Sequence, residues 1–489
     1  MPVSETRQSL LARFREHQRT IGVAQRQQVP KRPPGTDVEA SEQQQLIWVH
    51  AHLARNLPLY NEPVTIRIPH LVDPVVFERA FNHVLRRHEG WRTAFDWREE
   101  TLWQVVTPDL RVRIPFEDLR RGRAAERERI ALSRAIEDVR RPFNLANAPL
   151  LRARLIALAD DDFRLCLTLH HIIFDGVSLY TLFLPELQAC YAAFVSGREP
   201  DLGPPPVQYP DLTAWLRTQH RDFRTELRYW DTKLAGELPE MKLPLDRPRP
   251  DTRAYTGGAK TFYVSSPTLE KLKNIGRERD ATAHQTFLAA FHVLLYRYTG
   301  QVDQIVGGVS SSRKHQNAER VIGYLLNTIV LRTKLDANDS FFDLVSKTRD
   351  TALDALSHEV PFQLLVSRFG KNRTPGVTPI FQVLYSVEPP RLTVAEGWRI
   401  TEMDIERPTA NFDLTLQVDV GDDAHGQFLY ATDVFNASTI DKLIDSWIKL
   451  LDLIAARPEL SVASLAAALD ERTGSRRRQI WNRIFRRRG

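Results

Sequence analysis

Two α/β lobes joined by a proline-rich crossover are predicted for this 489-residue chain. Three observations point there. Segments with the period-2 pattern of strands alternate with segments of helical period in both halves of the sequence. Residues 198–209 hold Pro200, Gly203, Pro204, Pro205 and Pro206, a composition that suits an interdomain crossover. No short-period repeat is visible, which argues against a solenoid. The expected organisation is an N-terminal helix and linker (1–35), a first lobe (36–205), a second lobe (206–470) and a basic tail (471–489).

The first 35 residues open with Leu10, Leu11, Phe14 and His17 at helical spacing and end in Pro30-Lys31-Arg32-Pro33-Pro34-Gly35. Prolines and charge make the latter part a linker. The helical part suits a partner-docking element and a helix lying on its own domain equally well. Ser41 is the expected N-cap of a helix through Leu46, Ile47 and Trp48. A strand follows at 64–68. Asp73-Pro74 then supplies a cap followed by proline at the first helical position. Phe77, Ala80, Phe81, Val84 and Leu85 form the apolar stripe of a core-facing helix, read as running on into residues 86–95. Another strand covers 103–106, and a charged helix covers 124–139. Residues 149–158 and 163–171 form a hairpin around Ala159-Asp160-Asp161-Asp162, followed by a helix from about 178 to 196.

In the second half, helices are expected from Tyr209 through Trp215 and in a longer segment ending near Leu234. Strands are expected at 260–264, 304–309, 327–332, 381–385, 414–418 and 427–432. Thr282 caps a helix that stops at Gly300, and a further helix covers 340–356. Ser310-Ser311-Ser312-Arg313 reads as a polar loop. The last long helix places Ile440, Leu443, Ile444, Trp447, Leu450, Leu451 and Ile454 on one face. In the tail, seven arginines from Arg476 onward interleave with Ile480, Trp481, Ile484 and Phe485. That pattern suits a helix on an acidic partner or membrane surface, or a loosely ordered end.

The composition is globular, and the formal charge of +6 is a mild excess for this length. It favours acidic partners. Without zinc-finger spacings or an RNP-type aromatic motif, no nucleic-acid role is expected. Cys166 and Cys190 are the only cysteines. No disulfide framework, signal-peptide core or run of transmembrane length is present, so a cytoplasmic location is expected and a membrane role is not.

The chemistry concentrates in His170-His171-Ile172-Ile173-Phe174-Asp175-Gly176, at the end of the hairpin's second strand. Side chains alternate along a strand, so His171 shares the face of Leu165, Leu167 and Leu169, and His170 points the other way. Adjacent strand histidines would not grip one metal, and no HExxH or Cys/His cluster adds ligands, so no metal site is expected. A histidine at a strand end can be kept neutral by burial and oriented by a hydrogen bond. It then suits taking a proton from an amine or hydroxyl. No G-x-S-x-G elbow or nearby cysteine offers a nucleophile, so direct attack by a second substrate is expected. Asp175 needs a counter-charge if buried, which makes a structural salt bridge its better reading. Gly176 permits a sharp turn or a close backbone approach. Standing against all this, both histidines could be satisfied core residues.

Six segments in order outweigh that plainer reading. The chain resembles the condensation domains of non-ribosomal peptide synthetases, in the chloramphenicol-acetyltransferase-like superfamily. His170–Gly176 matches the family's His-His-x-x-x-Asp-Gly. Ser41-Glu42-Gln43-Gln44-Gln45-Leu46-Ile47-Trp48 resembles its opening segment with two replacements. Arg87-His88-Glu89-Gly90-Trp91-Arg92-Thr93 departs from the family's pattern at Trp91. Tyr209-Pro210-Asp211-Leu212-Thr213-Ala214-Trp215 matches loosely. Ile322-Gly323-Tyr324-Leu325-Leu326-Asn327-Thr328 and His358-Glu359-Val360-Pro361-Phe362 are close to two later motifs. The resemblance covers about residues 41–465.

The resemblance implies two similar lobes in a V with a tunnel between them. It implies acyl transfer from a carrier-protein phosphopantetheine thioester to an acceptor amine, or a hydroxyl. The partners would be a donor carrier protein and either an acceptor carrier protein or a small nucleophile. No cofactor would be held by the chain itself, and a monomer is expected. His171 would be the catalytic histidine, with His170 and Gly176 in the same group and His170 orienting. Asp175 would be structural, and Arg313 stands where the family places its salt-bridge arginine. Asn327 and Ser386 would line the substrate tunnel, with a bridge between lobes at residues 381–390. Lys371-Asn372-Arg373-Thr374-Pro375 departs from the family's late Arg-Asp-x-Ser-Arg segment, on the acceptor side. No adenylation or carrier domain follows, which implies a free-standing or excised enzyme. The competing readings are a catalytically silent recruitment module, an epimerase relative, and an acyltransferase using coenzyme A or lipid-loaded carriers.

Overall fold

The computed structural model describes residues 28–219, 222–313, 315, 317–370, 376–387, 397–401, 409–421 and 424–469. The N-terminal helical pattern, the 371–375 segment and the basic tail lie outside the described residues.

The first lobe holds β1 (Val38–Glu39), β2 (Asn61–Ile68), β3 (Thr93–Arg98), β4 (Thr101–Val106), β5 (Phe116–Asp118), β6 (Leu151–Ala159) and β7 (Asp162–His170). The second holds β8 (Gly257–Val264), β9 (Asp303–Ser311), β10 (Leu326–Lys334), β11 (Val383–Val387), β13 (Leu414–Val420) and β14 (Ala424–Ala431). One strand crosses over: β12 (Arg399–Thr401) comes from the second half and pairs antiparallel with β2. The first lobe's main sheet therefore runs β12-β2-β7-β6-β5, beside a small β1-β4-β3 sheet. The second lobe's sheet runs β10-β9-β11-β13-β14-β8.

The sequence explains these layers. The helix Pro74–Arg87 is capped by the Asp73 carboxylate, which accepts from the Val75 and Val76 amides. Its stripe of Phe77, Ala80, Phe81, Val84 and Leu85 is wholly buried in the first lobe's core, with Leu165, Leu167 and Leu169 of β7. The other face of β7 is covered too. Cys166 packs with Ala131 and Ala135 of the helix Ala124–Arg140. A central strand covered on both faces reads as a continuous apolar run, which is how 163–169 reads. Both cysteines are buried and free, and burial pushes each thiol up to about 12.

Two expectations need correction. The helix from Pro74 does not continue to 95; it stops at Arg87, and a short 3₁₀ turn (Glu89–Arg92) leads into β3. The described part of the bridge expected at 381–390, residues 381–387, stays within the second lobe. Val383 and Tyr385 are buried where β11 lies between the parallel strands β9 and β13, so this strand belongs to the second lobe's sheet, and β12 makes the crossing instead. The helix Tyr209–Thr218 sits at the seam. Tyr209 and Leu212 share a small core with Val29, Val207, Ala318, Val321 and Leu325. Among the described residues no helix is long and apolar enough to cross a membrane.

Candidate active site

The strand geometry expected for the histidine pair holds for one residue only. β7 ends at His170, and His171 opens a 3₁₀ turn, His171–Ile173. His171 is therefore not on the core-facing side of the strand. Its amide donates to the Tyr60 carbonyl at 2.9 Å, just beyond the last β2–β7 rung, and the chain turns there. The His171 side chain is half-buried and His170 is buried.

The two imidazoles are held differently. His171 Nδ1 lies 3.0 Å from the Phe174 carbonyl. A carbonyl only accepts, so Nδ1 carries a proton, and it is Nε2 that holds the lone pair in the neutral ring. The Phe174 ring stacks on the imidazole at 5.0 Å, and the Tyr324 ring stands perpendicular to it at 5.2 Å. His170 Nδ1 instead accepts from the Ile172 amide at 3.3 Å, and its ring lies against Tyr60 and Phe143. Burial, with His171 adding to it, pushes the His170 imidazole down to about 3. His170 is neutral and packed into the fold.

Asp175 is the fastening point. It is 1% exposed, and Oδ1 accepts from Arg313 Nη2 at 2.6 Å and from the Ser178 amide at 2.8 Å. Oδ2 accepts from the Leu325 amide at 3.2 Å. Arg313 also donates to the Val321 carbonyl and to Ser178 Oγ. Ser178 Oγ in turn donates to the Gly323 carbonyl at 3.0 Å and accepts from the Gly323 amide at 3.1 Å. Asp175 and Ser178 belong to the first lobe, and Arg313, Val321, Gly323 and Leu325 to the second. The clasp ties the His170–Ser178 turn to the opposite lobe.

Gly176, read as permitting a sharp turn or a close backbone approach, has φ −58° and ψ −40°, ordinary helical values that any residue adopts, so its torsion angles do not call for the first of these. It precedes a wide π-type turn, Val177–Phe183. Asn327 is buried on β10 and braces another motif. Its Nδ2 donates to Glu359 Oε1 at 3.0 Å and to the Val360 carbonyl at 2.9 Å, and its Oδ1 accepts from the Phe362 amide. Ser386 lies on β11 opposite Gln417. Neither is among the partners of the His170–Ser178 turn.

The Arg87-His88-Glu89 segment is scaffolding. Arg87 donates to the carbonyls of Leu202, Gly203 and Pro204 in the crossover. His88 Nε2 pairs with Glu186 at 2.6 Å, and Arg320 of the second lobe reaches the same carboxylate. Gly90 and Gly323 are glycines because of close approach. A Cβ at Gly90 would press on the Ile322 carbonyl, and one at Gly323 would enter the Tyr209 ring.

Sequence reasoning does not single out Tyr60, Ser178 or Tyr324 as site residues. Tyr60 supplies the carbonyl that seats His171 and sits at φ 68°, a left-handed conformation uncommon outside glycine. Its hydroxyl is 2.8 Å from His50 Nδ1. Tyr324 lies inside the Ile322–Thr328 segment, where the sequence gives no reason to separate it from its neighbours.

The Condensation domain profile matches residues 35–474. A linear gramicidin synthase of Brevibacillus parabrevis is 35% identical over 461 residues, covering 92% of this chain and 6% of that protein. Phosphinothricin tripeptide synthetase PhsC of Streptomyces viridochromogenes is 32% identical over 452 residues, 89% of this chain and 41% of that protein. This chain thus spans less than half the length of either relative. Among solved structures, the first condensation domain of the CDA synthetase superposes with a TM-score of 0.77 at 19% identity, covering 88% of this chain and 98% of that one. The X-domain from teicoplanin biosynthesis superposes at 0.75 and 24% identity, covering 89% and 98%. These likenesses are of fold, the chloramphenicol-acetyltransferase-like α/β fold. With nine-tenths of its length matched by the family profile and its His-His-x-x-x-Asp-Gly turn clasped between two lobes, the chain belongs to the condensation domains of non-ribosomal peptide synthetases.

Proposed function

We propose that this chain transfers an acyl, aminoacyl or peptidyl group from a carrier-protein phosphopantetheine thioester to an acceptor amine, or a hydroxyl. The observation that carries the reading is the contact of His171 Nδ1 with the Phe174 carbonyl. With Nδ1–H given to the Phe174 carbonyl, Nε2 is the one ring atom able to accept a proton, on an imidazole with some solvent access. The acceptor nitrogen adds to the thioester carbon as its proton passes to Nε2. The C–S bond then breaks, the pantetheine sulfur takes the proton, and an amide and a free thiol result. The phosphopantetheine arm is substrate here, borne by the partner carrier protein. His171 acts as the base, Asp175 and Arg313 hold the turn that carries it, and His170 positions that turn from below. We place Asn327 and Ser386 in the lining of the substrate tunnel, with Asn327 braced against Glu359 and Val360. A donor and an acceptor carrier protein, with a monomeric enzyme, complete the proposal.

The likeness to the teicoplanin X-domain, solved in complex with OxyB, supports a second reading: a module that recruits a partner protein and catalyses nothing. One experiment separates the two. Loaded donor and acceptor carrier proteins are incubated with the chain and followed by intact-protein mass. The condensation reading expects product with the wild type and none with His171→Ala. Equal product from His171→Ala refutes it, and carrier or partner binding without any product favours recruitment.

A further inference from the structure

Three tyrosine hydroxyls surround the histidine turn, and two are engaged. That of Tyr60 is bonded to His50, and that of Tyr209 lies between Ser41 Oγ, at 2.9 Å, and the Tyr324 carbonyl, at 2.8 Å. The Tyr324 hydroxyl has no hydrogen-bond partner among the described residues, and it is not sealed off, for the side chain keeps partial exposure. A phenol with no protein partner, on a ring packed against the His171 imidazole, keeps its O–H available to a ligand.

The backbone around it is unusually well fixed. Gly323 is gripped by Ser178 at both its amide and its carbonyl, the Tyr324 carbonyl accepts from Tyr209, and the Leu325 amide donates to Asp175. Gly323 and Leu325 are therefore tied to the clasp that holds the His171 turn, and Tyr324 between them is held by Tyr209. The fixed backbone sets the Tyr324 ring perpendicular to the His171 imidazole at 5.2 Å. Burial, with Asp175 adding to it, pushes the phenol well above its ordinary range, so it remains a donor throughout the working pH range.

We infer that the Tyr324 hydroxyl is the hydrogen-bond donor to the thioester carbonyl oxygen in the reaction at His171. This rests on the condensation reading above. A thioester whose carbon is attacked by a nucleophile bound at Nε2 must place its carbonyl oxygen a few ångströms from the imidazole. As the acceptor nitrogen adds, the C=O π electrons move onto that oxygen. They return when the C–S bond breaks and the sulfur leaves with the proton held by His171. A preoriented donor at the oxygen stabilises the charge that develops between those two events. The Tyr324 hydroxyl is the unengaged donor on the ring that stands against the imidazole. Tyr324 thereby brings a catalytic group from the second lobe to a base on the first.

Tyr324→Phe tests this directly. It removes one oxygen that has no protein partner, so the fold is expected to survive, checked by an unchanged thermal midpoint. Using acyl- and aminoacyl-loaded carrier proteins, we expect kcat to fall by roughly 100-fold or more, with KM for the loaded donor carrier nearly unchanged, because the bond strengthens only as charge develops. Wild-type kcat in Tyr324→Phe overturns the inference, and so does a loss confined to KM. His171→Ala is run beside it. If His171→Ala is inactive and Tyr324→Phe fully active, this inference alone falls; if His171→Ala keeps its activity, the condensation reading falls with it.

Discussion

His170 is the last residue of β7 and His171 the first of the turn beyond it, and that single step separates a group packed among rings from one that meets the lobe seam. His170 uses Nδ1 to accept a main-chain amide, lies against Tyr60 and Phe143, and stays neutral because burial removes the charged form. His171 uses Nδ1 to donate to a carbonyl, and so presents a lone pair. The opposite roles of the two Nδ1 atoms, together with the deeper burial of His170, set the two rings apart. The comparison teaches that the strand end, more than the residue type, decides which histidine is available for chemistry.

The largest effect should come from removing the available one. His171→Ala is expected to lower the condensation rate by about 10²- to 10⁴-fold, the range of a lost general base. Its unfolding midpoint in urea should stay close to wild type, because among the described residues the side chain's hydrogen bond is to Phe174 and the residue is only half-buried. A large loss of stability with the rate preserved would reverse the roles of the two histidines.

Breaking the clasp should be felt by both. Arg313→Ala leaves the buried Asp175 carboxylate without its cation, at a cost of about 3–5 kcal/mol. The turn carrying His171 loses its tie to the second lobe, so rate and stability should fall together. Replacing the pair, Asp175→Leu with Arg313→Met, should recover much of the stability and little of the rate, since the Leu325 and Ser178 amides stay unpartnered. Urea titration and carrier-protein turnover on the same preparations read both quantities.

His170 should show itself through pH. Its folded imidazole lies near 3, below the ordinary value of about 6.5, so between those limits the unfolded chain holds the extra proton. The stability it leaves intact is fully present above about pH 6.5 and is lost as pH falls toward 3. His50 and His292 are also pushed down to about 4 by burial and slope the same way. The informative quantity is therefore the difference between wild type and His170→Gln. That variant should be less stable at pH 7.5, by about 1–3 kcal/mol for an imperfectly replaced buried group, and should lose less on going to pH 5. An identical pH slope in both proteins would show that His170 is not held neutral by the fold.

Much of this is legible in the sequence because it depends on local pattern. The Asp73-Pro74 cap, the Phe77–Leu85 stripe and the covered strand 163–169 each announce themselves within a dozen residues. The Asp175–Arg313 pair is reachable only through the resemblance, because 138 residues separate its members. What stays hidden is of one kind. The end of β7 at His170 is set by a hydrogen bond to Tyr60 on another segment, and the crossing of β12 by pairing with β2 across the lobes. Tyr324 is hidden for the same reason, since its free hydroxyl matters only once Ser178 and Asp175 fix the backbone beside it.

The smallest effect should come from Tyr60→Phe, and it sharpens the comparison most finely. What Tyr60 gives His171 is its main-chain carbonyl, at 2.9 Å from the His171 amide; its hydroxyl goes to His50. Removing that hydroxyl leaves His50 Nδ1 without its bond and should cost about 1 kcal/mol of stability. The rate should stay within about twofold of wild type, because the carbonyl seat and the His170 ring contact do not need the oxygen. Tyr324→Phe, the same one-atom change on the other side of the imidazole, should do the opposite and move the rate while leaving stability alone. If both variants lose rate equally, the site depends on the rigidity of its tyrosines rather than on one free hydroxyl, and the division of labour around the two histidines must be redrawn.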